Sequence, residues 1–183
     1  MTPQPTAQPA DLVAFWHNAG PDRWFEKNPD FDALCRTRFL DLHLHAAARR
    51  LEHWLATADG TLALILLVDQ IPRNIFRGTP HMYATDTLAR HYASHAHAAG
   101  RLNEVAPDLR VFLCLPFSHS ENLDDQARAI RLADGLGDKP RAHALRHHDI
   151  IRRFARFPHR NEILARDTTA DEAAYLADGG FAG

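Results

Sequence analysis

Seven consecutive apolar residues, Leu62 to Val68, run directly into Asp69-Gln70-Ile71-Pro72-Arg73-Asn74-Ile75-Phe76-Arg77. The run is too solidly hydrophobic for a surface helix and reads as a buried one. Pro72 then sits where that helix should continue. It has no N–H for the helical ladder and its ring crowds the preceding turn, which predicts a helix that ends or kinks near Gln70, with Pro72 opening the next turn. Asp69, Gln70, Arg73, Asn74 and Arg77 thus leave a core element at a break, where freed carbonyls and N–H groups can build a site for a polar ligand. The same spacing also allows a plainer arrangement. Asp69 and Arg73 are four apart, as are Arg73 and Arg77, so on a continuous helix Asp69 and Arg73 can pair along one face.

At 183 residues and 45% hydrophobic, the chain can bury a substantial core and is short enough for one domain. We expect a flexible, proline-containing lead-in over residues 1–10 and a single domain over 11–183. Lys and Arg number 21 against 23 Asp and Glu, and no block of like charge stands out, so nothing points to nucleic acid or a membrane surface. The apolar run is far shorter than the roughly 20 residues a membrane-spanning helix needs. No basic region followed by an apolar stretch opens the chain, so it does not read as a secretory signal. Cys35 and Cys114 are too few for a disulfide framework and are expected as reduced thiols. These features together suggest a cytoplasmic protein.

Along the chain, Asp11 is the expected cap of a first helix that ends at Gly20-Pro21, and a long helix is expected from Asp30 to about Ala56. Gly60 punctuates before the buried helix. Asp86 is read as the cap of a helix reaching Gly100, and residues 108–117 as a further helix. Ser118-His119-Ser120-Glu121 has the spacing of a capping box, as does Thr169-Ala170-Asp171-Glu172. Helices are expected to about Asp134 and from Pro140 to about Phe154. No segment alternates with period two, so the fold class is all-α: about eight helices packed as hairpins. The spacing of helix pairs is compatible with a tetratricopeptide-like solenoid, although the Trp, Leu-Gly, Tyr consensus of that repeat is missing.

Polar residues gather at three helix junctions. The first is Asp69 to Arg77 and the second Ser118 to Gln126. The third, His147 to Arg166, includes His148, Arg153, Arg156, His159, Arg160 and Asn161, interleaved with Phe154 and Phe157. Buried guanidinium groups must meet acids, solvent or an anion. The basic groups outnumber Asp69, Glu121 and Asp149, which motivates a pocket for an anion where the three stretches meet, with Asp69 touching an arginine of the third.

The stretches Leu67-Val68-Asp69-Gln70-Ile71-Pro72-Arg73-Asn74-Ile75-Phe76-Arg77-Gly78, Leu115-Pro116-Phe117-Ser118-His119-Ser120-Glu121 and Arg153-Phe154-Ala155-Arg156-Phe157-Pro158-His159-Arg160-Asn161 resemble three signatures of the bacterial domain-of-unknown-function family 924. Trp24-Phe25 and Phe31-Asp32 are also similar, so the resemblance covers nearly the whole chain. It implies an all-helical, tetratricopeptide-like fold and no assigned activity. Ala155 departs from the pattern, which has Gly there. If that Gly serves a positive φ or close packing, Ala155 either perturbs the site or shows the requirement to be weak.

Three functions fit the residues. One is recognition of a small anionic molecule or a carboxylate-bearing peptide by Asp69, Gln70, Arg73, Asn74, Arg77, His148, Arg153, Arg156, Arg160 and Asn161. The second is a hydrolase or lyase in the same pocket, with His119, Glu121 and His159 as acid and base and the arginines orienting substrate. The third is a scaffold whose charges are structural. His91 with His95, and His143 with His147, have the i, i+4 spacing of metal-binding pairs, but neither contains the Glu of an HExxH arrangement, and no metal or other cofactor is expected.

Overall fold

The computed structural model describes residues 8–183. Most of the expected lead-in, residues 1–7, lies outside them. Every regular element among the described residues is helical, as the absence of period-two alternation predicts. No helix among them is long and apolar enough to cross a membrane. Cys35 and Cys114 are buried free thiols. Burial, with Asp32 nearby, pushes the Cys35 thiol up to about 12.

Two compact units divide the chain. The first comprises the described residues up to Arg77 together with His81–Pro116, the second Gly78–Pro80 and Phe117–Gly183. Helix α1 (Pro9–Ala19) opens the first unit. Its cap is Gln8 rather than the expected Asp11. Pro9 fills the first helical position, where no N–H is needed, and Asp11 reaches back to the Gln8 N–H at 3.2 Å. After α2 (Pro21–Phe25), helix α3 runs over Pro29–Ala47. The expected continuation to Ala56 fails at Arg49, whose φ is +59°. A 3₁₀ segment, Glu52–Ala56, follows and buries Trp54. Gly60 lies inside α4 (Ala58–Ile65) rather than before it. A Cβ there would come within 2.1 Å of the Trp54 carbonyl, so glycine is what lets α4 start against that turn.

The apolar run is buried as read: Leu62 to Val68 are all at zero exposure, as is Ile71. Each such aliphatic side chain contributes about 1.5–3 kcal/mol on burial. The boundary falls where Pro72 implies it: the apolar helix gives way near Gln70 and Pro72 lies in the first turn of the next helix, although the backbone stays helical throughout. The helical path widens into one π-turn, Leu66–Gln70, and goes on as α5 (Ile71–Ile75). The Ile71 N–H bonds the Leu66 carbonyl, five residues back, which leaves the next carbonyls without their α-helical donors. Tertiary side chains take them up. His43 Nδ1 bonds the Leu67 carbonyl at 2.8 Å, the Thr85 hydroxyl donates to the Val68 carbonyl at 2.6 Å, and Arg73 donates to the Asp69 carbonyl at 2.5 Å. Helix α6 (Asp86–Ala98) has Thr85 as its N-cap residue, not Asp86, because the Asp86 carboxylate is committed to Arg73.

Residues 107–113 form a 3₁₀ helix rather than an α-helix, followed by the short α7 (Leu115–Ser118). In the second unit, α8 (Leu123–Ala133) and α9 (Asp138–Phe154) form a helical hairpin across a tight loop. A 3₁₀ turn at Pro158–Arg160 and α10 (Ala170–Ala177) complete it. The capping box predicted at Thr169 and Glu172 is present. The one predicted at Ser118 and Glu121 is not. Asn122 caps α8, its Oδ1 accepting from the N–H groups of Asp124 and Asp125, so Glu121 is left for another role.

Candidate ligand site

Around the π-turn, the guanidinium groups of the first signature already face carboxylates. Arg73 sets its fork on Asp86 at 2.9 and 3.0 Å and approaches Asp69 at 3.4 Å. Burial disfavours its charge, but Asp69 and Asp86 more than compensate and raise its pKa. Asp69 has zero exposure and accepts from the Gln70 amide at 2.5 Å. Asn74 donates to the Gln70 carbonyl at 3.1 Å. Arg77 forks onto Asp32 at 2.7 and 2.9 Å. Behind them His43, buried beside Phe76, holds its proton on Nδ1 for the Leu67 carbonyl, and burial pushes its pKa down. This is the ion-pair arrangement that the i, i+4 spacing allowed, extended to two acids, Asp32 and Asp86, that sequence separation hid.

The second and third signatures join within the second unit. Glu121 Oε1 accepts from the Phe157 N–H and from Arg166, each at 2.9 Å. Burial works against the ionised carboxyl, but these two donors outweigh it and hold the group below its usual range. Arg160 donates to the His119 carbonyl at 3.0 Å and lies over the Phe157 ring. Arg156 forks onto Glu172 at 2.6 and 2.8 Å and also donates to the Asp167 carbonyl. Glu172 further accepts from Asn161 at 3.2 Å and from the Thr169 N–H at 2.8 Å. Arg156 foremost, then Thr169, hold the Glu172 carboxyl down at about 2. One carboxylate thus caps α10 and anchors the third signature. The spacing revealed the cap and not the anchor. Ala155 ends α9 in the left-handed region, φ +57°, with its N–H on the Ile151 carbonyl, which accounts for the glycine in the family pattern.

His143 and His147 lie against each other with ring centroids 4.0 Å apart and planes inclined at 51°. His147 Nδ1 bonds the Ser118 carbonyl at 3.0 Å. Burial foremost, then neighbouring histidines, push His147 down to about 2. Burial, His119 and Arg146 push His143 down to about 4. Both rings are neutral near pH 7. His159 lies between Phe157 and Phe181, and His148 sits 3.9 Å from Asp149. No group of three potential metal ligands forms among the described residues.

A groove of about 580 Å³ runs between α9 and the end of α10. Ile150, Phe154, Tyr175 and Phe181 give it an apolar floor, with Arg146, Asp149, Arg153 and Asp178 along it. Arg146 stands over the Phe181 ring at 5.0 Å, and Arg153 over Phe154 and Tyr175 at 4.6 and 5.7 Å. Both are exposed, and both face rings where Arg73, Arg77, Arg156 and Arg166 face acids. They are seven residues apart on α9, hence on one face and roughly 10 Å apart along it. Among the residues lining this groove, only Arg153 is a ligand-binding candidate from the sequence. The i, i+7 repeat of Arg146 and Arg153 was the available signal.

The family model described as "Bacterial protein of unknown function (DUF924)" matches residues 12–180. The chain belongs to this family. A solved structure, a protein of unknown function from Agrobacterium tumefaciens, is 53% identical to the DUF924 chain described here. It matches with a TM-score of 0.91 over 93% of this chain and 97% of its own. No curated protein matches. The relatives therefore place the fold and leave the site to be read from its chemistry.

Proposed function

We propose that the groove between α9 and α10 binds a carboxylate-bearing peptide end. The supporting observation is the contrast among the arginines. Those of the first signature, with Arg156 and Arg166, are committed to Asp86, Asp32, Glu172 and Glu121, whereas Arg146 and Arg153 are exposed beside aromatic rings. A guanidinium so placed keeps its N–H fork for an incoming carboxylate. Asp149 and Asp178 are exposed along the same groove. They disfavour a densely charged anion such as a phosphate ester, while offering acceptors to peptide N–H groups. The apolar floor suits a side chain.

The acid–base alternative built on His119, Glu121 and His159 has less behind it. Glu121 is stabilised as the ionised form by Arg166 and the Phe157 N–H, which makes it a poor proton acceptor near pH 7. The scaffold reading accounts for the paired arginines but gives no part to Arg146 and Arg153.

The test compares melting of the protein with acetylated tripeptides ending in a free carboxylate and with the same peptides ending in an amide. Stabilisation by the acids and not the amides supports the proposal. Equal response to both, or none to either, removes it.

A further inference from the structure

We infer that Phe181 occupies, within its own chain, an aromatic subsite of this groove, and that the subsite takes the aromatic side chain of the last residue of a bound peptide. The inference rests on the binding proposed above and names the ligand class for it. The Phe181 ring lies 4.7 Å from His147, 5.0 Å from His159 and 6.2 Å from His143, with the Arg146 guanidinium 5.0 Å from its centroid. Phe181 packs on the apolar cluster of Ile150, Ile151 and Phe157, yet three imidazoles and a cation also stand around the same ring. An aliphatic box would bury as much surface without enclosing polar atoms, and His147, 97% buried, keeps an Nε2 acceptor with no donor. The arrangement is that of a recognition cage, in which an aromatic ring gains from edge-to-face and cation–π contacts that an aliphatic side chain cannot make.

The segment carrying Phe181 is tied to Tyr175. Past α10, the Gly180 N–H bonds the Tyr175 carbonyl and the Phe181 N–H bonds the Tyr175 hydroxyl, both at 2.9 Å. The strap lies so flat on Tyr175 that a Cβ at residue 180 would fall 2.5 Å from its carbonyl oxygen and 2.6 Å from its ring. Phe181 remains partly exposed, and Arg146 beside it is one of the two cations left for the peptide carboxylate. The cage, the cation and the groove are therefore contiguous. A peptide whose terminal aromatic ring displaced Phe181 would bring its carboxylate to Arg146.

If the strap competes with the ligand, releasing it must tighten binding, because the competent state is otherwise only fractionally populated. Titration calorimetry with acetyl-Ala-Ala-Phe and acetyl-Ala-Ala-Ala, both free acids, on the full chain and on Phe181→Ala tests this. The expected result is a preference for the Phe peptide and, in the variant, an affinity for it higher by about fivefold or more, with a smaller gain for the Ala peptide. Gly180→Ala, which displaces the strap but keeps the ring, should also tighten binding and covers the case in which Phe181→Ala folds poorly. If both peptides bind alike and neither variant tightens them, the inference is overturned while the carboxylate reading stands. Should neither free acid bind any of the proteins, the proposed function fails first.

Discussion

The Thr85 hydroxyl donates to the Val68 carbonyl at 2.6 Å, and Val68 is the residue whose carbonyl a proline four positions later leaves without its helical donor. This bond, with that of His43 to Leu67, makes a proline tolerable inside the central helix. Thr85→Val should leave a buried carbonyl unmet and cost about 1–3 kcal/mol of stability, while Thr85→Ser should cost less. Urea denaturation of the two variants decides. A valine variant as stable as the parent would mean that the π-turn does not depend on its side-chain donor.

Arg73 is the best-buried cation of the first signature and has two acids, Asp69 and Asp86. Removing the cation strands the fully buried Asp69, so Arg73→Ala should lose about 3–5 kcal/mol. Arg77, a third exposed against Asp32, is screened by solvent, and Arg77→Ala should cost about 1 kcal/mol or less through its ion pair. Equal losses at the two positions, measured by the same denaturation, would contradict this ranking.

Ala155 holds a left-handed conformation that favours glycine. The strain is about 1–2 kcal/mol, partly offset by the greater freedom of glycine in the unfolded chain. Ala155→Gly is therefore expected to stabilise the protein by about 0.5–1 kcal/mol. A melting temperature unchanged or lowered would show that the strain is relieved elsewhere.

The paired histidines His143 and His147 make the protein acid-sensitive. Folded His143 and His147 stay neutral down to about pH 4 and about pH 2, whereas the unfolded rings protonate near 6.5. The unfolded state thus binds more protons below that value. Stability is full above pH 6.5 and declines as pH falls through the window, by about 1.4 kcal/mol per pH unit for each ring once well inside it. Melting temperatures between pH 7.5 and 5 should fall, and His143→Gln should fall less steeply. Identical slopes would deny His143 a share in the effect.

Much of this architecture was legible because local signals agreed with the tertiary structure. The all-apolar run was the central helix, and Thr169 with Glu172 capped α10 as their spacing implied. Where the reading fell short, a distant group had intervened. Pro72 marks the boundary near Gln70 as its chemistry implies, but the side chains of His43 and Thr85, which supply the missing donors and keep the backbone helical across it, were hidden by sequence separation. Ser118 and Glu121 have the spacing of a capping box, yet Asn122 offers a nearer cap and Glu121 is drawn to Arg166 and the Phe157 N–H, 45 and 36 residues away. The candidate site was harder still. Residue type alone cannot tell an arginine already matched by Asp32, Asp86 or Glu172 from one left facing a groove, so Arg73, Arg77 and Arg156 stood beside Arg153 as equals, and Arg146 went unnoticed.

That division of labour among the arginines is the central claim, and titration of a carboxylate-ended peptide against single variants tests it most directly. With acetyl-Ala-Ala-Phe, Arg146→Gln should weaken binding about tenfold or more, the loss of a charge-assisted hydrogen bond. Arg77→Gln, which alters a pair committed to Asp32, should leave the affinity within about twofold of the parent. Wild-type affinity in Arg146→Gln together with a large loss in Arg77→Gln would contradict the account.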